Sequence, residues 1–293
     1  MLKENTTNSC EYDHALIYHY WSDKSVPAWK DITCPVVLAA STARKNHPNL
    51  KIYILDTNID SDWDNYPDLL NLTIVPWETH KFDEKKLPHG RFENFAPKTL
   101  SRVFDIHNFS KTVPESNIIF SDSDIFWIKP IFPLDYMKCI NKFCGSTNSG
   151  LFYFKKNSNE SNHFFNIWKS MILIGLTDDK IKDEILKFNS HKRFMCESVL
   201  KYIIQFSCGS FQHIDIKENF VFNKRNFFLF NESIKNLHLM HGKWGDSRGA
   251  ACKKFKEIYE NLALSKENID RIIPKNYDQV EIRNIDVEKL YEL

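Results

Sequence analysis

The run Asn117-Ile118-Ile119-Phe120 has the composition of a buried strand, and it leads without a break into Ser121, Asp122, Ser123 and Asp124. Apolar sequence resumes at once as IFWIKPIFPL from Ile125. Carboxylates are costly beside apolar surroundings unless something pairs with them. A chain that sets two of them one residue apart at the end of an interior strand has two solutions: a turn that lets both reach water, or a shared cation. Carboxylates at i and i+2, with a small residue between, can aim at one point when the backbone is extended. Oxygen ligands of this kind suit hard divalent ions such as Mg²⁺ or Mn²⁺. A bare Asp-x-Asp is most often a solvated surface turn, but the apolar segments on both sides set this one inside the core.

The surrounding sequence alternates strands and helices. HALIYHYW (14–21) reads as a strand, CPVVLAASTARKNH as a helix with Pro35 in its first turn, and NLKIYILDT as a second strand ending at Asp56. LTIVPWE is a third strand, stopped near Pro76, and the polar stretch 78–97 forms a loop able to cover a site. KTLSRVFDIHNF is expected to be a helix beginning just after Pro97. It has Leu100, Val103, Phe104 and His107 at helical spacing and Lys98 and Arg102 on a common face. After the Asp-x-Asp strand come the strand NSGLFYFKK, the helices SNHFFNIWKSMILIGL and RFMCESVLKYIIQF, and the short strands FQHIDI and NFVFN. NLHLMHGKWGDSRG is an apolar segment ending in a His-Gly-Lys loop. This is the grammar of an α/β sheet with crossovers, in which ligands bind beyond the carboxyl ends of the strands. Asp122 and Asp124 occupy that position. One α/β domain is expected over residues 12–262, followed by a charged helix or tail over 263–293.

Basic and acidic side chains nearly cancel, 39 against 38, so charge gives no reason to propose nucleic acid or an anionic membrane as the main partner. The most apolar runs, PVVLAA and MILIGL, are too short to span a bilayer, and MLKENTTNSC lacks the apolar core of a signal peptide. The seven cysteines are scattered with no Cys-x-x-Cys pair, which reads as thiols in a reducing compartment. A cytoplasmic location is expected. The sequons at Asn5 and Asn71 carry little weight without a secretion signal.

Taken in order, the first strand, the basic helix before the Asp-x-Asp, the segment IIFSDSDIFWIKPI, the NSG strand and HLMHGKW resemble the GT-A class of nucleotide-sugar-dependent glycosyltransferases over roughly residues 14 to 250. The resemblance implies a single Rossmann-like domain with a mixed, mostly parallel sheet flanked by helices. It implies that Asp122 and Asp124 bind Mn²⁺ or Mg²⁺ bridging the donor diphosphate, Asp124 more firmly, with a late histidine completing the shell. Relatives place that histidine three residues before the glycine, where this chain has Leu239. His238 and His241 therefore both stand as candidates, and His241, directly before Gly242 and Lys243, is preferred. Gly242 and Lys243 would contact phosphate, and the cation with Lys243 would stabilise charge on the departing diphosphate.

The same resemblance places His19 and Tyr20 by the nucleobase, and Ser123 beside the aspartates. Lys98 and Arg102 would reach the nucleotide, or else form a solvated face or an ion pair with Asp105. Asn148 and Ser149, before Gly150, would touch the donor sugar or acceptor, unless they merely cap a strand and Gly150 supplies a tight backbone turn. Glu197 would act as base, nucleophile or electrostatic support, unless it only favours the positive end of a helix dipole. The implied partners are a nucleotide-diphosphate sugar, UDP being the expected nucleotide, and a glycan or other hydroxyl acceptor.

Two other readings compete. In haloacid-dehalogenase-like phosphatases an Asp-x-Asp also follows a buried strand, but the motif continues to Thr or Val where this chain has Phe126, and it lies on the first core strand. The acidic pair in Thr177-Asp178-Asp179-Lys180 would have to serve as their later motif. A GT-A scaffold that binds nucleotide or glycan without turnover is the third reading, though such a scaffold has no need of paired carboxylates.

Overall fold

The protein is described here by a computed structural model covering residues 13–21, 34–57, 63, 66–87, 95–123, 125–127, 129–132, 143–146, 149–188, 193–206, 211–214, 220–221 and 235–238. Its elements run β1 (His14–Tyr20), α1 (Cys34–Asn46), β2 (Lys51–Asp56), α2 (Tyr66–Leu70) and β3 (Leu72–Pro76), then a 3₁₀ turn, Glu84–Lys86. Next come α3 (Phe95–Ser110), β4 (Asn117–Ser121), β5 (Ile125–Trp127), β6 (Phe143–Gly145) and β7 (Leu151–Lys155). The chain continues through α4 (Asn159–Gly175), α5 (Asp179–Lys187), α6 (Cys196–Ile204), β8 (Phe211–His213), β9 (Phe220–Val221) and β10 (Asn236–His238).

Seven strands form the main sheet in the order β3-β2-β1-β4-β7-β6-β8. The strands β3, β2, β1 and β4 are parallel, β7 is antiparallel to both β4 and β6, and β8 is parallel to β6. The sheet is thus mixed and mostly parallel, as the sequence implies. All seven residues of β1 are buried, which is why HALIYHY is an unbroken apolar and aromatic run: a parallel strand covered on both faces has no polar side to alternate with. Pro76 closes β3 at the sheet edge, where a missing backbone donor costs little. A smaller sheet, β5-β10-β9, pairs β10 antiparallel to β5 and parallel to β9.

Phenylalanines fill the space between β6, β7 and α4. Phe143 stacks on Phe164 at 4.4 Å and packs edge-on to Phe165 at 5.2 Å and to Trp168 at 6.2 Å. Each buried aromatic of this kind contributes on the order of 1.5–3 kcal/mol over leaving it exposed. α3 buries Leu100, Val103, Ile106 and Phe109 against this core.

Three local readings change. α3 begins at Phe95, not after Pro97; the proline falls in the first turn, where a helix has no use for its missing N–H. α5 was not anticipated. Its signal is Asp178, whose carboxylate accepts from the backbone N–H groups of Lys180 and Ile181 at 2.9 and 3.2 Å, with Ile185 buried behind it. The short β6 and α2 were also missed, being shorter than a periodicity can register. The expected domain end at 262 and the tail 263–293 lie outside the described residues. Among the described residues no helix is long and apolar enough to cross a membrane.

His107 sits between α3 and α4 with its Nε2 at 3.0 Å from Asn162 Oδ1, and its Nδ1 accepts from the Lys169 ammonium at 2.7 Å. That pattern requires a neutral ring. Burial, aided by Lys169 and Lys111 and opposed by Asn162, pushes its pKa from 6.5 down to about 4. The unfolded chain takes up this proton below about 6.5 and the folded chain only near 4, so the contribution is complete above pH 6.5 and declines as pH falls from there toward 4. Urea midpoints should fall over that window. His107→Gln should show a shallower fall, the remainder belonging to His19 and His80, which are also shifted down. Identical pH slopes in the two proteins would contradict this account.

Candidate active site

The parallel strands β1 and β4 end side by side, with Tyr18 opposite Ser121. Ser121 is the last residue of β4 and is fully buried, and the chain turns immediately after it, the Asp122 carbonyl accepting from Ile125 N–H at 3.1 Å. The turn carries the Asp122 side chain, 23% exposed, out of the apolar strand. It also starts β5, whose Ile125 lies opposite His238 in the β10 ladder. Two separate pairings therefore meet at Asp122. One is β4 with β7, which brings Gly150 close enough for its carbonyl to accept from Asp122 N–H at 2.7 Å. The other is β5 with β10, which brings His238.

Asp122 Oδ2 stands 3.8 Å from His238 Nε2, and His238 is 3% exposed. Gly150 makes this approach possible. A Cβ on residue 150 would lie 2.3 Å from His238 Cε1, 3.0 Å from its Nδ1 and 2.9 Å from Asp122 Oδ2. Any side chain there would drive the imidazole away from the carboxylate.

The other carboxylate oxygen, Oδ1, takes a charge-assisted hydrogen bond from Arg102 Nη1. The same guanidinium donates from Nη2 to Ser149 Oγ at 2.9 Å, to the Ser149 carbonyl at 3.3 Å and to Cys196 Sγ at 3.1 Å. Its plane lies over the Phe120 ring at 5.1 Å. Ser149 adopts a left-handed φ of 56°, which turns its side chain and its carbonyl to one guanidinium. Cys196 opens α6, so the start of that helix is tied to the site through Arg102.

A second buried pair backs the first. His19 Nε2 is 2.9 Å from Asp105 Oδ2, and Asp105 also accepts from Thr79 Oγ1 at 2.6 Å and from His80 N–H at 2.9 Å. Burial, together with the Arg102 and Lys98 charges, pushes His19 below its ordinary value despite Asp105. Burial would raise Asp105, but the hydrogen bonds from His19, Thr79 and His80 outweigh it and hold the carboxyl low. His19 is thus a neutral donor to an ionised carboxylate. With Asp105 engaged in this way, Arg102 pairs with Asp122 and not with Asp105, the alternative that the sequence left open.

The expected residues divide clearly. Asp122, Arg102, Ser149 and Gly150 come together at one point, with Ser123 in the turn. His19 and Tyr20 are only 6% and 4% exposed, and Tyr20 packs edge-on against Trp63 at 5.0 Å. Lys98 Nζ lies over the Trp21 ring at 5.0 Å. Glu197, in the first turn of α6, is ion-paired with Lys201 one turn on. Asp124, Asn148, His241, Gly242 and Lys243 lie outside the described residues. The β10–β5 register delivers His238 to Asp122, while the preferred candidate, His241, lies outside the described residues. Cys196 was missed as a site residue; among apolar neighbours it reads as helix core. Asp178 and Asp179 are accounted for as the start of α5, which leaves the phosphatase alternative without its later acidic motif.

The donor set suits a divalent cation. A carboxylate oxygen and an imidazole nitrogen converge over a glycine cradle that a methyl group would fill. Among the described residues no cluster of three or more potential ligands occurs.

Comparison with solved structures bears on this geometry. Over 91% of this chain and all of the other, the fold superposes on galactosyltransferase LgtC in complex with donor and acceptor sugar analogues, with a TM-score of 0.55 and 11% identity. The chain has the GT-A glycosyltransferase fold. A second LgtC structure, an active-site mutant, matches a GT-A core over 88% of this chain and all of that one, at TM-score 0.54 and 12% identity. Glycosyltransferase GlyE of Streptococcus pneumoniae TIGR4 matches at 0.52 and 14% identity over 92% of this chain and 65% of its own. No protein-family model and no curated protein sequence matches this chain.

The glycine cradle can be tested without any ligand. Gly150→Ala should cost roughly 1–3 kcal/mol through overpacking against His238. Gly150→Ala combined with His238→Ala should cost less than the sum of the two single changes, because truncating the imidazole makes room for the methyl. Urea denaturation of the four proteins measures the coupling. Strict additivity would mean that the two residues do not touch.

Proposed function

We propose that this protein is a metal-dependent glycosyltransferase that moves a sugar from a nucleotide-diphosphate donor, UDP being the preferred nucleotide, to a glycan or other hydroxyl acceptor. The observation that carries the reading is the convergence of Asp122 and His238 over Gly150, beyond the carboxyl end of β4 in a GT-A fold. Asp122 and His238, with Asp124, would hold Mn²⁺ or Mg²⁺. When bound, such an ion supplies neutralising charge to the diphosphate that leaves the sugar.

The chain's own residues supply the rest. Arg102 fixes Asp122 by occupying Oδ1, which leaves Oδ2 on the His238 side. Its positive charge also sits beside the region where the departing diphosphate gathers negative charge. Lys98 and Lys243 would add charge to the same phosphates, with Gly242 beside them. Asn148 and Ser149 would orient the donor sugar, and His19 and Tyr20 would line the base. Glu197 would stand at the reacting carbon, with Lys201 holding its carboxylate. A cytoplasmic location accompanies this reading, in keeping with the scattered cysteines and the absence of a Cys-x-x-Cys pair in the sequence.

If Asp122 and His238 share a cation with a donor diphosphate, metal and nucleotide must strengthen each other reciprocally. UDP affinity should rise about 5- to 150-fold on adding Mn²⁺, and Mn²⁺ affinity should rise by the same factor on adding UDP. His238→Ala should shrink that factor. Asp122→Asn should shrink it too and abolish transfer, but it leaves the largely buried Arg102 without its carboxylate, so its melting temperature must be followed alongside. Calorimetric titration of UDP in Mn²⁺ and in EDTA decides the matter; equal affinity in both would refute the shared cation.

A further inference from the structure

Away from Asp122, the 3₁₀ turn Glu84–Lys86 faces the junction between α4 and α5 across a cleft of about 360 Å³. Lys85, Lys86 and Lys182 line it together with Leu87, Leu176, Thr177 and Asp179. That volume is within the range of small-molecule clefts, roughly 300–1,000 Å³.

The cleft gathers three lysines on one concavity. Lys81, Lys187 and Lys201 each pair with a glutamate one turn away on the chain, Glu78, Glu184 and Glu197. Lys85, Lys86 and Lys182 have no ion-pair partner among the described residues, and Asp179 is the one carboxylate lining the cleft with them. Three ammonium groups around a common concavity repel one another, and a bound anion would turn that repulsion into attraction. Beneath them, Leu87 packs on the hydrophobic core and Leu176 is 9% exposed, so the floor is aliphatic. A cationic rim over an aliphatic floor matches a sugar ring that bears an acidic group: the C–H face of the ring lies on the leucines and the anion meets the ammoniums.

The cleft is also connected to the site by the chain. On one side, Leu87 precedes α3, whose early turns carry Lys98 and Arg102. On the other, Leu176 follows Gly175, which is in contact with Phe194, and Phe194 lies two residues before Cys196, the partner of Arg102. The Leu176 wall is therefore tied through Phe194 to the start of α6, which Arg102 joins to Asp122.

We propose that this cleft binds the anionic portion of the acceptor, making the acceptor a carboxylate- or phosphate-bearing glycan. The inference rests on the glycosyl-transfer reading for the word acceptor, and on the cleft alone for the anion. The probes are tetragalacturonate for a carboxylated glycan, mannose 6-phosphate for a phosphorylated sugar, and maltotetraose as the neutral control. They are titrated calorimetrically at low ionic strength, because salt screens exposed charges within about 8 Å at physiological strength. At least one anionic probe should bind and weaken as NaCl is added, while maltotetraose should not bind; the tighter anionic probe identifies the acidic group. Lys85→Gln/Lys86→Gln/Lys182→Gln should lower that affinity at least tenfold while leaving the melting temperature and donor hydrolysis without acceptor unchanged. Equal binding of neutral and anionic probes, or undiminished binding by the triple variant, overturns the proposal. If the anionic probe binds through the lysines but no nucleotide sugar is bound or hydrolysed, the cleft stands and the glycosyltransferase reading falls.

Discussion

The Arg102 guanidinium, with only 11% of its side chain exposed, needs a carboxylate beside it, and the placement of the site follows from that need. An unpaired cation at that depth would be prohibitively costly, so Asp122 is held at Oδ1 by electrostatics as well as by hydrogen bonding. The guanidinium has donors to spare, and these gather Ser149 and Cys196. One side chain from α3 thereby ties the turn after β4, the entry to β7 and the start of α6 to a common point. Loss of that charge would loosen three elements together.

Asp122 answers the puzzle of a buried strand that ends in acid. Its strand is interior up to Ser121, and a turn then carries its carboxylate out between two sheets. One face of that carboxylate meets arginine and the other meets histidine. The two oxygens consequently differ in environment: one is neutralised by a fixed cation, and the other faces a neutral-capable ring over a glycine. An asymmetric carboxylate of this sort can keep its orientation while it accepts a further positive ligand.

Much of the fold was legible because the elements that carry the core are long and strongly patterned. β1 and β4 read as strands since both are buried on two faces and show uninterrupted apolar sequence. α3 and α4 read as helices from their 3.6-residue stripes, although Pro97 misled the start of α3 because a proline is tolerated in a first turn. β6, three residues long, could not be read, since its pairing depends on neighbours far along the chain. In the site, Asp122 was singled out from its own strand, and Arg102, Ser149 and Gly150 through the resemblance to the GT-A class. Their mutual roles were not, because a hydrogen-bonding group carries no mark of which distant partner it will meet. Asp105, a plausible mate for Arg102 on the same helix, is taken by His19 from β1 and by Thr79 and His80 from the loop before α3.

The place of His238 shows the division most clearly. Sequence alone determined that a histidine near the end of an apolar segment was available, and that an Asp-x-Asp stood at the carboxyl end of a buried strand. Both statements follow from composition and periodicity over a few residues. Tertiary structure decided that His238 stands beside Asp122, because the antiparallel register of β10 on β5 sets His238 opposite Ile125. It also decided that Gly150 is the residue whose missing side chain lets them approach. Register is a long-range property: shifting a strand by one residue turns every side chain to the other face. No count of residues along the chain contains that information; it arises only when the two strands lie side by side.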